Sequence, residues 1–145
     1  MIVNAKKLHP DAKLPTYSTP FSAGADLYAL TQQDIVIQPH QTVFVTTGLS
    51  FEIPDGYAGL VYARSGLASK NNLAPANKVG VIDSDYRGEA FVALHNHGET
   101  PQTVANGQRI AQLIITPVLP VEFQETTELS DTQRGAGGFG SSGKF

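Results

Sequence analysis

The run NKVGVIDSDYRGE, residues 77–89, carries the densest set of groups able to do chemistry. Val81 and Ile82 are apolar, as in a strand, and deliver Asp83 to the strand's end, with Ser84, Asp85 and Tyr86 following. A carboxylate at a strand end can act as a general base on a water within reach. Asp85 suits a turn equally well, since Asp is a common turn former. Two acids two residues apart face one side only in extended chain. A turn breaks that relation, and the reading puts the base on Asp83 alone. A second run, YARSGLAS at residues 62–69, joins an expected strand to a short helix. Arg64, Ser65 and the N–H of Gly66 would stand at the helix start, an arrangement that receives anions. Ser65 reads equally as a plain N-cap; the Arg beside it tilts the reading towards phosphate.

Three further stretches carry chemistry-bearing residues. FSAGADLYAL, residues 21–30, sets Asp26 among small residues. Such an Asp is a turn former or a group that holds Mg²⁺ near phosphates, directly or through a water. His95-Asn96-His97 would put two imidazoles on one face of a strand, but no third ligand is in sight for a metal, and a solvated strand end is the preferred reading. The C-terminal RGAGGFGSSGKF fits most of a G-x-x-x-x-G-K phosphate loop. That loop needs a preceding strand, a Ser or Thr after the Lys and a following helix, whereas Lys144 is followed by Phe145. An inert Gly/Ser tail is the plain alternative. Against it, Arg134 can fork onto phosphate oxygens, Phe139 offers a flat face to a base, and glycines let the backbone wrap closely. The tail is expected to be disordered alone and ordered on a nucleotide.

The elements that must position these groups read as short strands broken by Gly, Pro, Asn and Asp, the pattern of an all-β sandwich or barrel. Strands are expected at Ile35 to Ile37, Thr42 to Ile53, Tyr57 to Ala63, Val79 to Ile82, Ala90 to His95, Arg109 to Thr116 and Val121 to Gln124. The one helical candidate runs from Ser65 to about Asn72, capped by its Ser. Ile110, Leu113, Ile114 and Ile115 make one strand apolar on both faces, which calls for a second sheet or another subunit against it. The globular pattern gives way near Leu129 to the Gly-rich tail, so residues 1–129 are expected as the β domain and 130–145 as a flexible C-terminal arm.

At 145 residues the chain suits one domain. A net charge of −3 gives no basic footprint for a nucleic acid polymer. With no Cys there is no disulfide and no thiolate zinc site. MIVNAKKLHP lacks a signal-peptide core, and no apolar run nears the ~20 residues that span a bilayer. A soluble cytoplasmic protein without membrane partners is expected.

AGADLYA, ARSGLA, NKVGVIDSDYRGE, GQRIAQLII and RGAGGFGSSG resemble the five ordered motifs of the trimeric dUTP pyrophosphatases, and they span residues 23 to 143 in the family's order. One motif alone is weak; five in order are specific. The resemblance implies a β jelly roll with one short helix, a homotrimer with active sites shared between subunits, and Mg²⁺-assisted hydrolysis of dUTP to dUMP and pyrophosphate. It implies that Asp83 activates the attacking water and that Asp26 helps hold the metal, through water. Arg64, Ser65 and Gly66 resemble the phosphate-binding turn, and Gln112 the phosphate-contacting Gln. Asn77 resembles the amide that contacts uracil, with the Val79, Gly80, Val81 and Ile82 hairpin supplying backbone groups. Tyr86 resembles the aromatic beneath the deoxyribose. In the tail, Arg134, Ser141 and Ser142 resemble γ-phosphate ligands and Phe139, followed by Gly140, the lid over uracil. Ser142 departs slightly from the family, where Thr is frequent. The sister dCTP deaminases would need a second Arg shortly after Ser65, and Gly66-Leu67-Ala68 has none.

Overall fold

Short β-branched runs punctuated by turn formers fold here into ladders between distant stretches of the chain. The computed structural model describes residues 1–138; Phe139, Gly140, Ser141 and Ser142 lie outside the described residues. The strands are β1 (Asn4–Lys7), β2 (Ala25–Tyr28), β3 (Ile35–Ile37), β4 (Thr42–Thr46), β5 (Leu49–Glu52), β6 (Tyr57–Tyr62), β7 (Leu73–Pro75), β8 (Gly80–Ile82), β9 (Phe91–Asn96), β10 (Gln102–Val104) and β11 (Arg109–Pro117). The helix α1 (Ser65–Asn71) sits between β6 and β7. One sheet runs β2-β11-β6-β8 and another β4-β9-β7, with two-stranded pairs β1-β5 and β3-β10. Every pairing is antiparallel. No helix among the described residues is long and apolar enough to cross a membrane.

Leu27, Ile37, Leu49, Ile53, Leu73, Leu94 and Ile110 are each under 2% exposed and form a single core. Burying an aliphatic side chain of this size contributes about 1.5–3 kcal/mol. In β9 the alternation is direct: Val92, Leu94 and Asn96 are buried, while Phe91, Ala93 and His95 face outward. In β11, Ile110 and Leu113 enter the core, whereas Ile114 and Ile115 are half-buried.

Three expectations are corrected. Thr42 to Ile53 is two strands, because Gly48 turns the chain through a left-handed φ of 67°. A side chain there would collide with Leu30 and Ala12. At this corner the Thr47 hydroxyl donates to Ala90 O at 2.7 Å and Gly48 N–H donates to the Glu89 carboxylate at 2.7 Å, so β4 stays with β9 while β5 leaves to pair β1. No strand forms at Val121 to Gln124, where Val121 is 67% and Phe123 94% exposed. Nothing among the described residues offers that segment a ladder, and a lone strand is not stable. Finally, Ser65 does not cap α1. Arg64 occupies the cap position in extended conformation without a side-chain capping bond, and Ser65 is the first helical residue.

Candidate active site in two clefts

Among the described residues, Asn77, Gly80, Val81, Ile82, Asp83 and Tyr86 border one cleft and Arg64 and Gly66 another, and no residue lines both. The first, of about 230 Å³, is bordered by Val61, Asn77, Gly80, Val81, Ile82, Asp83, Tyr86, Glu89, Ala90 and Phe91. Among the described residues, strand β8 is the edge of its sheet and pairs β6 alone. One row of its backbone N–H and C=O groups therefore lacks a ladder partner, a surface that can read the donors and acceptors of a planar ring. Lys78, at φ 64°, makes the tight turn that leads Asn77 and Val79 into β8, with Val79 N–H donating to Asn77 O at 2.7 Å.

Beyond β8 the chain turns at once. Tyr86 N–H donates to Asp83 O at 3.2 Å, and the Arg87 guanidinium donates to Ser84 O at 2.6 Å and Tyr86 O at 3.1 Å. The turn leaves Asp83 exposed on the cleft rim. Asp85 sits in the turn and does not border the cleft, as its reading as a turn residue expects. The Tyr86 hydroxyl donates to Glu89 O at 3.0 Å, which curls the ring back over the turn.

The second cleft, of about 590 Å³, is bordered by Tyr28, Arg64, Gly66, Leu67, Lys70, Asn71, Gly107, Gln108 and Arg109. Three cations and no acid line it, so it suits an anion. What lies behind two of those cations follows from sheet register. Gln112 in β11 lies opposite Asp26 in β2 and Tyr62 in β6, which puts all three side chains on one face. Asp26 is 1% exposed. Its Oδ1 accepts from Arg64 Nε at 2.9 Å, and its Oδ2 from Arg109 Nη1 at 3.1 Å and from the Ser18 hydroxyl at 3.2 Å. Desolvation is the largest single influence on this carboxyl and pushes its pKa up. The Arg64 bond and charge, with Arg109 and Ser18, outweigh it and hold the group below the ordinary Asp value. Asp26 is thus a buried anion that fixes Arg64 at the cleft.

Arg64, Ser65, Gly66, Gln112 and Asp26 are thereby gathered in one region, and Asn77, Gly80 to Ile82, Asp83 and Tyr86 in another. Arg134 joins neither; it is exposed, and its Nε donates to Gly137 O at 2.7 Å within its own segment. His95 and His97 flank the buried Asn96, whose amide donates to Ile37 O at 3.0 Å and Thr100 O at 2.8 Å. The two rings pack edge to face with centroids 4.4 Å apart. Partial desolvation, then the charges of His95, Lys78 and His40, lower the His97 pKa. Among the described residues no three His, Cys, Asp or Glu side chains gather as a metal site. Sequence reasoning missed Arg109 and Ser18 as partners of Asp26; the available signal was an Arg opening an otherwise apolar strand.

An all-β domain with a ring-sized cleft beside a carboxylate, and a cation-lined cleft apart from it, defines a handler of small anionic ligands. A family model described as dUTPase matches residues 10–143. The deoxyuridine 5'-triphosphate nucleotidohydrolase of Ectopseudomonas mendocina is 50% identical over 138 residues, covering 94% of this chain and 91% of the relative. That of Desulfitobacterium hafniense is 54% identical over 132 residues, covering 90% and 87%. Among solved structures, a mutant of the Staphylococcus bacteriophage 80alpha dUTPase with dUpNHpp superposes with a TM-score of 0.85 at 28% identity, covering 98% of both chains. Another mutant of the 80alpha phage dUTPase reaches 0.89 at 27% identity, covering 97% of this chain and 98% of that one. The chain belongs to the dUTPase family of nucleotide hydrolases, and its fold is the family's jelly roll.

Proposed function

We propose that the chain hydrolyses dUTP to dUMP and pyrophosphate, which lowers dUTP and supplies dUMP for dTTP synthesis. The observation that carries this reading is the division of labour between the clefts. The unpaired edge of β8 with Asn77, Asp83 and Tyr86 suits a nucleoside, and the Asp26-held Arg64 with Ser65, Gly66 and Gln112 suits its phosphates. A nucleotide needs both, and in the homotrimer that the family resemblance implies, the two clefts come from different subunits and meet across an interface. Backbone donors and acceptors on β8 distinguish uracil from cytosine by one reversal at the ring edge. Close walls exclude the thymine methyl, and Tyr86 under the sugar excludes a 2′-hydroxyl.

Asp83 accepts a proton from water as the water oxygen bonds to the α-phosphorus; the bond from that phosphorus to the bridging oxygen breaks, and pyrophosphate leaves. Arg64 neutralises phosphate charge and Gln112 donates hydrogen bonds that align the phosphates, which is most of what phosphoryl chemistry requires. Residues 130–145 act as an arm separate from the 1–129 domain, closing with Arg134, Phe139, Gly140, Ser141 and Ser142 over the ligand and expelling water. The side chains present fit a metal that arrives on the triphosphate rather than in a protein cage. An ionised carboxylate has about four acceptor positions, and Asp26 uses three; with its side chain 2% exposed, the fourth would meet a metal-bound water only once a neighbouring side chain moves aside. Mg²⁺ so bound would neutralise phosphate charge and hold the chain of phosphates in line. The test is pyrophosphate release from dUTP, UTP, dTTP and dCTP with and without a chelator. The reading requires a strong preference for dUTP and recovery on adding back Mg²⁺. Ammonia from dCTP at a comparable rate would replace it with a deaminase.

A further inference from the structure

The hairpin that carries Asp83 and Tyr86 is tied down at more points than a surface turn needs. Arg87 donates to Ser84 O and Tyr86 O, while its own carbonyl accepts from the Ser50 hydroxyl at 2.7 Å. Glu89, whose carbonyl accepts from the Tyr86 hydroxyl, is itself fixed by Gly48 N–H on its carboxylate. Ala90 N–H then donates to Leu49 O at 2.8 Å. Into this frame the end of the Tyr86 ring descends onto Gly88. A β-carbon on Gly88 would overlap the Tyr86 hydroxyl oxygen and stand 2.5 Å from Cζ and 2.9 Å from Cε2. Those atoms belong to one flexible side chain that is 44% exposed, so the ring can move aside without disturbing the core. Gly88 is exposed and its backbone lies outside the left-handed region, so alanine fits its conformation.

We propose that Gly88 is a specificity-determining position: its missing side chain is the seat of the Tyr86 ring, and it acts on the choice between deoxyribose and ribose only through that ring. The inference rests on the reading of Tyr86 as the group beneath the sugar. In wild type the ring is held between the bare Gly88 backbone and the Glu89 carbonyl at one height over the cleft. A methyl at position 88 displaces the ring, loosening its packing against deoxyribose and opening room for a 2′-hydroxyl.

The test is a cycle of four full-length proteins, wild type, Gly88→Ala, Tyr86→Ala and the double variant, assayed for kcat and KM on dUTP and UTP, with melting temperatures alongside. Gly88→Ala should lower the dUTP-to-UTP ratio of kcat/KM at least about 10-fold, with dUTP KM raised more than kcat falls and melting unchanged within about 2 °C. In the Tyr86→Ala background the same substitution should leave the ratio unchanged, because neighbours that act through one contact are non-additive. The double variant has room for the β-carbon, so this arm stands even if Gly88→Ala alone folds poorly. A wild type indifferent to the 2′-hydroxyl refutes the reading of Tyr86 and the inference with it. A selective wild type with an equally selective Gly88→Ala, or an equal loss of ratio in both backgrounds, refutes the inference alone.

Discussion

Replacing Asp26 by Asn keeps the shape of the side chain and removes the charge that two arginines share. The carboxylate accepts from Arg64 at 2.9 Å, from Arg109 at 3.1 Å and from Ser18 at 3.2 Å, with 2% of the side chain exposed. A hydrogen bond to a charged group contributes about 1.5–3 kcal/mol. The Arg109 side chain is 46% exposed, so its share is screened and falls at or below the lower end of that range. Asn retains one acceptor oxygen and presents an NH₂ to the other guanidinium, so about 2–3 kcal/mol should be lost. At about 2–4 °C per kcal/mol for a chain of this size, melting should drop by roughly 5–10 °C at pH 7. The pH dependence has a definite sign. A carboxyl held below its ordinary pKa contributes its full stability above the unfolded value of ~3.9 and loses it as pH falls through the lower folded value. The gap between wild type and Asp26→Asn should therefore be constant near neutrality and close on acidification below about pH 4. Melting curves from pH 7 to pH 3, with dUTP KM measured at pH 7, check both points; KM should rise because Arg64 loses its anchor. Equal melting at pH 7, or a gap that does not narrow at all between pH 5 and pH 3, would refute the role given to the buried anion.

Asp83→Asn should still bind dUTP, by calorimetry, yet lose at least about 10²-fold in turnover, the usual cost of removing a general base; Asp85→Asn should be milder. Near-normal turnover by Asp83→Asn would move the base elsewhere. Mixing two inactive proteins, Asp83→Asn and a chain cut after Leu129, by joint unfolding and refolding should restore activity, because some sites then pair an intact Asp83 with an intact arm from another chain. A mixture that exchanges subunits by mass yet stays inactive would mean that each chain builds its own site.

Much of this architecture was legible in the residues because β-branched runs end at Gly, Pro, Asn and Asp. Five strand segments and the short helix fall where those signals put them, and a sixth, Thr42 to Ile53, is strand broken at Gly48. Strands β1, β2, β7 and β10 were not legible: each has only three or four residues, and NAKK or LAP carries no alternating pattern. Asp26 read as a turn former because it follows closely on a Gly, yet it lies inside β2, which pairs with the N-terminal half of β11. At the break in Thr42 to Ile53 the local signal was Gly48 itself, and the close approach of Leu30 and Ala12 is why no side chain fits there. For the site, the motifs pointed to Arg64, Asp83 and Tyr86, which border the two clefts. They did not reveal that Asp26 grips Arg64 and Arg109, residues 38 and 83 positions away, because such pairing is made by sheet register alone.

The unpaired flank of β8 has a consequence for solubility. A bare strand edge is a template on which another chain can add itself, and long flat edges lead to aggregates. Here the edge is only three residues long, with Lys78 before it and Asp83 and Asp85 just after it. A stray strand extending past it would have to bury one or both of those acids, at a desolvation cost that short ladders cannot offset. Asp83 on the cleft rim and Asp85 in the turn beyond it therefore also guard the protein against polymerising through that edge.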